Sequence, residues 1–237
     1  FGDEFKEVII GGAALNPEAE EFFKKIGFRF TVGYGMTECA PLISHSFWHE
    51  FKLHSVGKIL PTMEAKILSN DPQNEVGEII VRGENVMLGY YKNEEATRLA
   101  IDEDGWLHTG DMGTMDYDGT IYIKGRNKNM LLGPSGQNIY PEEIENKLNN
   151  MPFVLESLVL QNAENKLVAL VVPDYDAMDE AKLTTKDLEG VMEENRKELN
   201  ATTAAYESIT KIQIYPSEFE KTPKKSIKRF LYVNQLK

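Results

Sequence analysis

Residues 7–35, EVIIGGAALNPEAEEFFKKIGFRFTVGYG, carry the pattern that decides the fold of this 237-residue chain. The β-branched run at 8–10 predicts a strand, and Asn16 followed by Pro17 predicts the beginning of a helix. A second strand is predicted over 28–32 and is followed by Gly-Tyr-Gly at 33–35. Two strands joined by a helix are expected to lie parallel, so both glycine-rich turns fall at one edge of the sheet. Open α/β folds bind ligands at that edge.

The predicted helix carries one apolar stripe. Phe22, Phe23 and Ile26 form it, with acidic and basic residues elsewhere on the helix. An amphipathic helix turns such a stripe toward the core, so we expect these side chains to be buried.

Short predicted strands follow the first segment. Runs at 64–68, 78–82 and 120–124 are rich in β-forming residues and are separated by turns that contain Asp, Asn, Gly or Pro. One helix is predicted over 94–101. The stretch 55–126 therefore reads as an antiparallel, β-barrel-like subdomain.

The remainder of the chain mixes helices and strands. Pro141 begins a predicted helix, strands are predicted at 155–160 and 167–172, a helix-rich stretch runs over 179–200, and 211–215 is a further strand. These elements predict a small α+β domain.

The predicted fold class is α/β plus a β-barrel-like subdomain, followed by a small α+β carboxyl-terminal domain. The expected parts are residues 1–54, the end of an α/β subdomain, then residues 55–126, the barrel-like part. Residues 127–237 form the small domain, with the polar stretch 127–129 as its linker.

Charge and composition exclude several classes of function. The net charge of −12 argues against a nucleic-acid partner, because phosphates are repelled overall. A lone cysteine, Cys39, rules out an internal disulfide framework and fits a reducing cytoplasm, which is the expected compartment. No apolar run approaches the roughly 20 residues that cross a bilayer, and nothing in the sequence indicates peripheral membrane contact.

The end of the chain has the opposite charge from the whole. Residues 221–237 contain six basic residues and no acidic one, namely Lys221, Lys224, Lys225, Lys228, Arg229 and Lys237. Two interpretations stay open: a solvated basic tail, or a positive patch that meets an anionic substrate such as a polyphosphate.

The segment 31–38, TVGYGMTE, combines groups that suit a nucleotide. Glycines such as Gly35 let the backbone approach a ligand closely, and Tyr34 offers a face on which a base can stack. Thr37 can donate to a phosphate oxygen, and Glu38 supplies the hard oxygen ligand that Mg²⁺ prefers when it also holds phosphates. The alternative is that Thr37 and Glu38 only cap the next segment.

Two further segments add oxygen and nitrogen ligands. In 104–111, DGWLHTGD, Asp111 can accept hydrogen bonds from two vicinal hydroxyls such as those of ribose, or it can be a turn carboxylate satisfied by backbone amides. In 124–128, KGRNK, Arg126 can bind ribose or phosphate oxygens. The glycine-containing loop 133–136 is not a Walker loop, because it lacks that spacing and the following Lys-Ser/Thr.

The order and combination of these motifs carry a resemblance that spans residues 11–229. GGAA, VGYGMTE, DGWLHTGD, GRNK and GQNIYPEEIE together resemble the AMP-forming acyl-CoA synthetase superfamily, which includes luciferases and peptide-synthetase adenylation domains. Residues 38–44 and the loop at 131–136 are most similar to long-chain fatty acid–CoA ligases.

The resemblance implies a two-step ligase reaction. Members of this family adenylate a carboxylate with MgATP and release pyrophosphate. They then swing the small carboxyl-terminal domain and transfer the acyl group to a thiol. For this chain the resemblance implies a fatty acid as substrate and ATP, Mg²⁺ and coenzyme A as co-substrates and cofactor.

The resemblance also implies a role for each matched residue. Thr37 would contact phosphate, Glu38 would hold Mg²⁺ and Lys128 would be the hinge of the small domain. Nucleotide and coenzyme contacts would come from Gly12, Ala13 and Ala14 along the adenine, Tyr34 and Gly35 at the base, Asp111 and Arg126 at the ribose, and Gly136 at the pantetheine tunnel.

Two departures from the family pattern matter. The family's serine/threonine/glycine-rich phosphate loop does not occur in this chain, which implies a carboxyl-terminal part that is inactive by itself. Ser226 stands where the family has the lysine that bridges the acyl carboxylate and the α-phosphate. Lys225 is the favoured substitute. Lys228 is the alternative, because residues two apart in an extended strand face the same side, so Lys228 would face the same side as Ser226.

Four hypotheses therefore stay open. The first is an acyl-CoA ligase, and the second is an acyl–acyl carrier protein ligase. The third, motivated by Ser226, is a non-catalytic nucleotide-binding relative that lost the adenylation lysine. The fourth is a purely structural fragment whose motifs cap helices and turns, which has to explain every motif separately.

Overall fold

The computed structural model describes residues 4–12, 14–222 and 226–235. The chain forms two compact units, Phe1–Lys128 and Asn129–Lys237, in a mixed α/β fold with several sheets. Two predicted site residues, Ala13 and Lys225, lie outside the described residues. Among the helices in the described ranges, none has the length and apolar character that a bilayer span requires.

The first unit begins with the predicted strand–helix–strand motif. Strand β1 (Val8–Ile10) pairs in parallel with β2 (Phe30–Val32), and helix α1 (Pro17–Lys25) joins them. The side chain of Asn16 accepts the amides of Glu18 and Ala19 at 2.9 and 3.2 Å, so the predicted cap is confirmed. The amide of Gly33 donates to the carbonyl of Ile10 at 2.9 Å, which brings the two glycine turns side by side as expected.

The apolar stripe of α1 is narrower than predicted. Phe23 packs against Phe28 and Phe30, with ring centroids 5.2 and 5.5 Å apart. Phe22 and Ile26 are each 56% exposed, so the prediction that they are buried is wrong. Phe22 and Phe23 are adjacent, so about 100° of helix rotation separates their side chains, and Phe23 is the one that faces the sheet. Ile26 follows the last residue of the helix as its carboxyl-terminal cap.

Antiparallel strands fill the rest of the first unit. Strands β3 (Tyr34–Gly35), β4 (Leu42–His45) and β5 (Lys58–Ile59) form a three-stranded sheet, with a 3₁₀ turn at Thr37–Cys39 between the first two. A four-stranded meander follows, made of β6 (Met63–Leu68), β7 (Gly77–Gly83), β8 (Leu107–Met115) and β9 (Ile121–Arg126). Helix α2 (Glu94–Ala100) lies between β7 and β8 in sequence.

The strands predicted at 64–68, 78–82 and 120–124 and the helix at 94–101 are all confirmed within two residues. Strand β8 was not predicted, because Gly110 and Asp111, which strands disfavour, interrupt its pattern. The description of residues 55–126 as barrel-like stays a prediction, as do the boundaries at 54 and 126.

The second unit contains a helix-backed sheet. After the short hairpin of β10 (Leu131–Leu132) and β11 (Asn138–Ile139), helix α3 (Pro141–Leu148) precedes β12 (Val154–Gln161) and β13 (Leu167–Pro173). Helices α4 (Tyr175–Glu180) and α5 (Thr185–Thr202) then lead to β14 (Ile209–Ile214). The order is β12–β13–β14, with the first pair antiparallel and the second parallel.

The end of the second unit is tied to its first helix. The guanidinium of Arg229 donates to Oε2 of Glu145 in α3 at 2.5 Å and to the carbonyl of Val159 in β12 at 3.1 Å. The other oxygen of Glu145 accepts the Val159 amide at 2.6 Å. Burial raises the pKa of Glu145 to about 7, against the opposing charge of Arg229. Residues 84 positions apart therefore share one buried ion pair.

Candidate functional site

Three of the predicted site residues meet in the first unit. Tyr34 lies on β3, Asp111 on β8 and Arg126 at the end of β9, directly opposite Asp111 in the strand register. The phenol of Tyr34 donates to Oδ2 of Asp111 at 2.6 Å, and Nε of Arg126 lies 3.0 Å from Oδ1. Among the residues that the structure describes, each carboxylate oxygen of Asp111 thus has one such side-chain partner.

The burial of this cluster sets its chemistry. The side chain of Asp111 is 6% exposed and that of Arg126 is 54% exposed. Burial, reinforced by the charge of Asp111, raises the pKa of Tyr34 well above its ordinary value, so the phenol stays a donor. A carboxylate offers about four lone-pair positions, so two protein donors leave room for two hydroxyl donors.

A bulge in β8 aims Asp111. Residues 109–111 lie between His108, which is opposite Ile80, and Met112, which is opposite Glu78, so three residues face one on β7. Gly110 in this bulge has φ of +70°. Bulges of this kind redirect a side chain next to a functional site.

Hydrogen bonds fix the conformation of the bulge. Glu78 accepts the Gly110 amide at 3.0 Å through Oε1, and its Oε2 lies 2.9 Å from Nδ1 of His108. The hydroxyl of Thr109 donates to the Ile79 carbonyl at 2.7 Å and accepts the Asp111 amide at 3.1 Å. Sequence reasoning missed Glu78, Thr109 and His108. No local signal marks them, because their contacts depend on the strand register.

An open cleft of about 390 Å³ lies beside the bulge. Its lining residues are Thr109, Gly110, Arg126, Asn127 and Lys128. The structure therefore places the predicted residues Arg126 and Lys128 along one cleft, with the backbone of the bulge on its wall. Two cationic side chains there favour an anionic ligand.

Glu38 sits on the 3₁₀ turn that follows the predicted base-binding tyrosine. Its Oε1 accepts the hydroxyl of Tyr90 at 3.0 Å, which is the one partner that its carboxylate has in the described part of the chain. The remaining acceptor positions on this half-buried carboxylate fit Mg²⁺, which binds proteins through one or two carboxylates and keeps its other positions for water and phosphate oxygens. Thr37 is exposed beside it. Tyr90 was also missed from the sequence.

The glycines of the motifs have different explanations. A Cβ on Gly35 would lie 2.2 Å from the carbonyl oxygen of Pro41, so strand pairing with β4 requires this glycine irrespective of any ligand. Gly12 has φ of +89° and Gly136 has φ of +83°, and no atom lies within 4 Å of a Cβ built on either. Those two positions, together with the exposed Ala14, leave backbone accessible to a ligand.

Ion pairs hold the basic residues of the chain end that the structure describes. Lys221 pairs with Glu156 at 2.6 Å, Lys228 pairs with Glu220 at 3.2 Å, and Arg229 is the partner of Glu145. All three of the basic residues that the structure describes here thus have acidic partners, and Lys224, Lys225 and Lys237 lie outside the described residues. Ser226 is exposed, and its carbonyl accepts the amide of Thr222 at 2.8 Å. Gly136 and these residues belong to the second unit and are described within it alone.

Two family models match this chain. The model described as AMP-binding enzyme matches residues 2–91, and the model described as AMP-binding enzyme C-terminal domain matches residues 129–237. Together the two matches take in most of the chain.

The similar proteins agree with these matches. The chain is 30% identical to the long-chain-fatty-acid–CoA ligase FadD15 of Mycobacterium bovis over 97% of its own length and 40% of that protein. It therefore spans about two fifths of the length of this curated relative.

The fold of this chain is also similar to solved structures of a CoA synthetase. The o-succinylbenzoate CoA synthetase MenE from Bacillus subtilis, in complex with the acyl-adenylate intermediate OSB-AMP, superimposes with a TM-score of 0.79 at 26% identity. The match covers 97% of this chain and 46% of that one. The same synthetase in complex with ATP and magnesium ion gives a TM-score of 0.77 at 26% identity, with the same coverage of both chains.

Proposed function

This chain belongs to the AMP-binding enzyme family, and on that premise we propose that it is the carboxyl-terminal part of an ATP-dependent acid–thiol ligase. The ligase joins a carboxylic acid to AMP, releases pyrophosphate, and then transfers the acyl group from the adenylate to coenzyme A. The observation that carries the proposal is the buried carboxylate of Asp111, which has a protein donor on each oxygen and retains acceptor positions for a diol.

Each predicted site residue of the first unit then has a role in binding the nucleotide. Asp111 accepts the two ribose hydroxyls, and Arg126 neutralises it and contacts the same part of the nucleotide. Tyr34 orients Asp111 through its phenol and packs on the base, next to Gly35. The backbone at Gly12, Ala13 and Ala14 lines the adenine. Such fixed donors and acceptors act without reorganisation when the substrate arrives.

The phosphates and the metal are bound at the 3₁₀ turn that follows β3. Thr37 donates to a phosphate oxygen, and Glu38 holds Mg²⁺. Mg²⁺ held there would supply positive charge to offset that of the phosphates when pyrophosphate leaves. This proposal is supported by the acceptor positions that Tyr90 leaves on Glu38.

The finer organisation of the chain is part of the proposal. Residues 1–54 end an α/β nucleotide-binding subdomain, residues 55–126 form a β-barrel-like subdomain, and residues 127–237 form a small mobile α+β domain that turns about Lys128. After the turn, Gly136 helps to form the pantetheine tunnel. Lys225 bridges the acyl carboxylate and the α-phosphate in place of the family lysine, since Lys228 already pairs with Glu220.

The substrate that we propose is a fatty acid. The support is the name of the long-chain-fatty-acid–CoA ligase, which matches over nearly all of this chain. The similar synthetase of known structure acts on o-succinylbenzoate, so an aromatic acid is the competing substrate class. Coenzyme A is the proposed thiol, and acyl carrier protein is the alternative acceptor.

A second candidate function rests on Ser226. An exposed serine at the position of the adenylation lysine favours a non-catalytic relative that binds the nucleotide without adenylating an acid. A lysine charge is needed there because both the carboxylate and the phosphate are anionic.

The full-length protein tests these alternatives. Exchange of labelled pyrophosphate into ATP, dependent on a fatty acid, is the expected result, and o-succinylbenzoate should not support it. Product formation with coenzyme A and with acyl carrier protein then identifies the thiol. Asp111→Asn should weaken ATP binding about tenfold or more, because a hydrogen bond to a charged group contributes about 1.5–3 kcal/mol. The exposed Asp179→Asn should match the wild type.

The outcomes separate the hypotheses. Exchange with no acid would contradict the adenylation step as proposed. ATP binding by calorimetry without exchange would support the non-catalytic relative. If the wild-type protein does not bind ATP, the proposal fails.

A further inference from the structure

We propose that Tyr90 is the positioning residue that orients the carboxylate of Glu38 for its metal, an inference that rests on the proposed function. Its phenol donates to Oε1 of Glu38 at 3.0 Å across 52 positions of sequence. No motif that marks the nucleotide site includes Tyr90.

The Glu38 turn is held by one segment of the chain, residues 85–90. The side-chain amide of Asn85 donates to the carbonyls of Cys39 and Leu42 at 2.7 and 2.9 Å. The amide of Met87 donates to the carbonyl of Glu38 itself at 2.7 Å. This segment therefore fixes the backbone of Glu38 and of the residues that follow it before the Glu38 side chain is considered.

Tyr90 is itself anchored on its other side. Its amide donates to the hydroxyl of Thr97 in α2 at 2.9 Å, and that hydroxyl donates to the carbonyl of Asn93 at 2.9 Å. Next to it, Gly89 has φ of +148°, and a Cβ there would lie 2.8 Å from the Thr97 methyl. A continuous series of contacts thus runs from α2 through Tyr90 to the carboxylate.

Exposure shows that this hydrogen bond serves orientation more than stability. Tyr90 is 39% exposed and lines an open cleft of about 610 Å³. Water can replace an exposed hydrogen bond at little cost in folding free energy, so the phenol contributes little to stability. A carboxylate that must present one oxygen to a metal loses rotational freedom on binding, and a phenol that already holds the other oxygen reduces that loss.

Neighbouring tyrosines provide a matched pair of variants. Tyr90→Phe removes only the hydroxyl that contacts Glu38. Tyr91→Phe removes the same group from a residue that is 88% exposed and packs against Lys92. Both should retain the wild-type melting temperature within a degree or so.

The test uses the full-length protein with two readouts. In pyrophosphate exchange, Tyr90→Phe should raise the Mg²⁺ concentration for half-maximal rate about 3- to 10-fold, a shift expected from loss of one charge-assisted contact. The rate at saturating Mg²⁺ should fall by less than about half, and the KM for the acid should not change. The second readout does not depend on activity. In a titration followed by electron paramagnetic resonance in the presence of ATP, Mn²⁺ should bind Tyr90→Phe about 3- to 10-fold more weakly than it binds the wild type. Tyr91→Phe should match the wild type in both.

The failure of this inference differs from failure of the proposed function. A wild-type Mg²⁺ dependence retained by Tyr90→Phe overturns the role of Tyr90 and leaves the ligase intact. If Glu38→Gln binds Mn²⁺ with ATP as the wild type does, the proposed role of Glu38 fails, and the role of Tyr90 fails with it. A protein that binds the metal–nucleotide pair without exchange still tests Tyr90 through the resonance titration. A protein that binds neither overturns both proposals.

Discussion

The phenolic oxygen of Tyr34 lies 2.6 Å from the carboxylate of Asp111, although 77 positions of sequence separate the two residues. The contact joins the short sheet that begins with β3 to the four-stranded meander. The binding of a ligand to Asp111 therefore depends on the positions of both sheets.

Tyr34→Phe should weaken ATP binding and destabilise the first unit. Loss of a buried hydrogen bond to a charged group should lower the free energy of unfolding by about 1.5–3 kcal/mol and ATP affinity by about 3- to 10-fold. Calorimetric titration with ATP and urea unfolding followed by tryptophan fluorescence measure the two effects.

Tyr122→Phe is the matched control for this prediction. Tyr122 also donates to an aspartate, Asp116, at 3.1 Å, but in an exposed network with Lys52. It should leave ATP affinity unchanged. Equal losses of affinity in both variants would contradict a specific role for the Tyr34 contact.

Glu78→Gln should loosen the bulge that aims Asp111. A glutamine oxygen can still accept the Gly110 amide, but the other end becomes a donor and cannot serve His108 in the same way. We expect the KM for ATP to rise about 3- to 10-fold, with a smaller change in kcat, because the nucleotide contact is misaligned before chemistry.

Glu95→Gln, an exposed substitution in α2, provides the comparison for Glu78. Steady-state kinetics at varied ATP and at fixed acid separates KM from kcat. A fall in kcat with no change in KM for ATP would refute a positioning role in nucleotide binding.

Ser226→Lys should restore adenylation to a variant that lacks Lys225. Removal of one transition-state donor typically costs about 100-fold or more, so Lys225→Ala should lower pyrophosphate exchange by about that factor. In the Lys225→Ala background, the added ammonium of Ser226→Lys would stand where the family has its bridging lysine, and the exposure of Ser226 makes the substitution tolerable in the fold. The second substitution should raise exchange by at least about tenfold, and thioester formation from supplied acyl-adenylate should stay constant.

Ser217→Lys adds the same charge at another exposed position and should have no effect on exchange. Wild-type exchange by Lys225→Ala would show that Lys225 is not the adenylation lysine. Equal exchange rates for Ser226→Lys and Ser217→Lys in the Lys225→Ala background would contradict the predicted rescue.

The stability of the second unit should fall as pH rises toward neutrality. Burial raises the pKa of Glu145 from 4.5 to about 7, so between these values the folded state retains a proton that the unfolded state has lost. The contribution is complete below about pH 4.5 and is lost as pH passes 7. It amounts to about 3 kcal/mol, from 1.36 kcal/mol per pKa unit.

Hydrogen exchange of the β12 and β13 amides, corrected for intrinsic rates, measures this dependence in the intact protein. Glu145→Gln should remove this part of the pH slope, and the exposed Glu198→Gln should retain it. Parallel slopes for the wild type and Glu145→Gln would contradict the assignment.

The local elements were predictable because local chemistry determines them. Asn16 with Pro17 fixes the start of α1, and the β-branched runs fix β1 and β2. The failures have equally specific causes. Phe22 is exposed because only a narrow apolar stripe of α1, which includes Phe23, packs against the sheet. Strand β8 was missed because its bulge breaks the alternation of apolar and polar residues.

The predicted site was incomplete for a related reason. Motif residues such as Asp111 and Glu38 could be chosen because their chemistry is visible in short segments. The residues that orient them, Glu78 and Tyr90, come from other elements and meet them only through strand register and loop packing. A single sequence does not encode that register in any local pattern.

The ion pair of Glu145 with Arg229 has a consequence for synthesis on the ribosome. Glu145 is translated 84 residues before the arginine that accompanies it in the core. A buried carboxylate without its partner is costly, so α3 and β12 cannot reach their final packing during most of the time that this unit is being translated. The unit can complete this packing only after Arg229 has left the exit tunnel, and a chain that terminates before residue 229 should form a less stable unit.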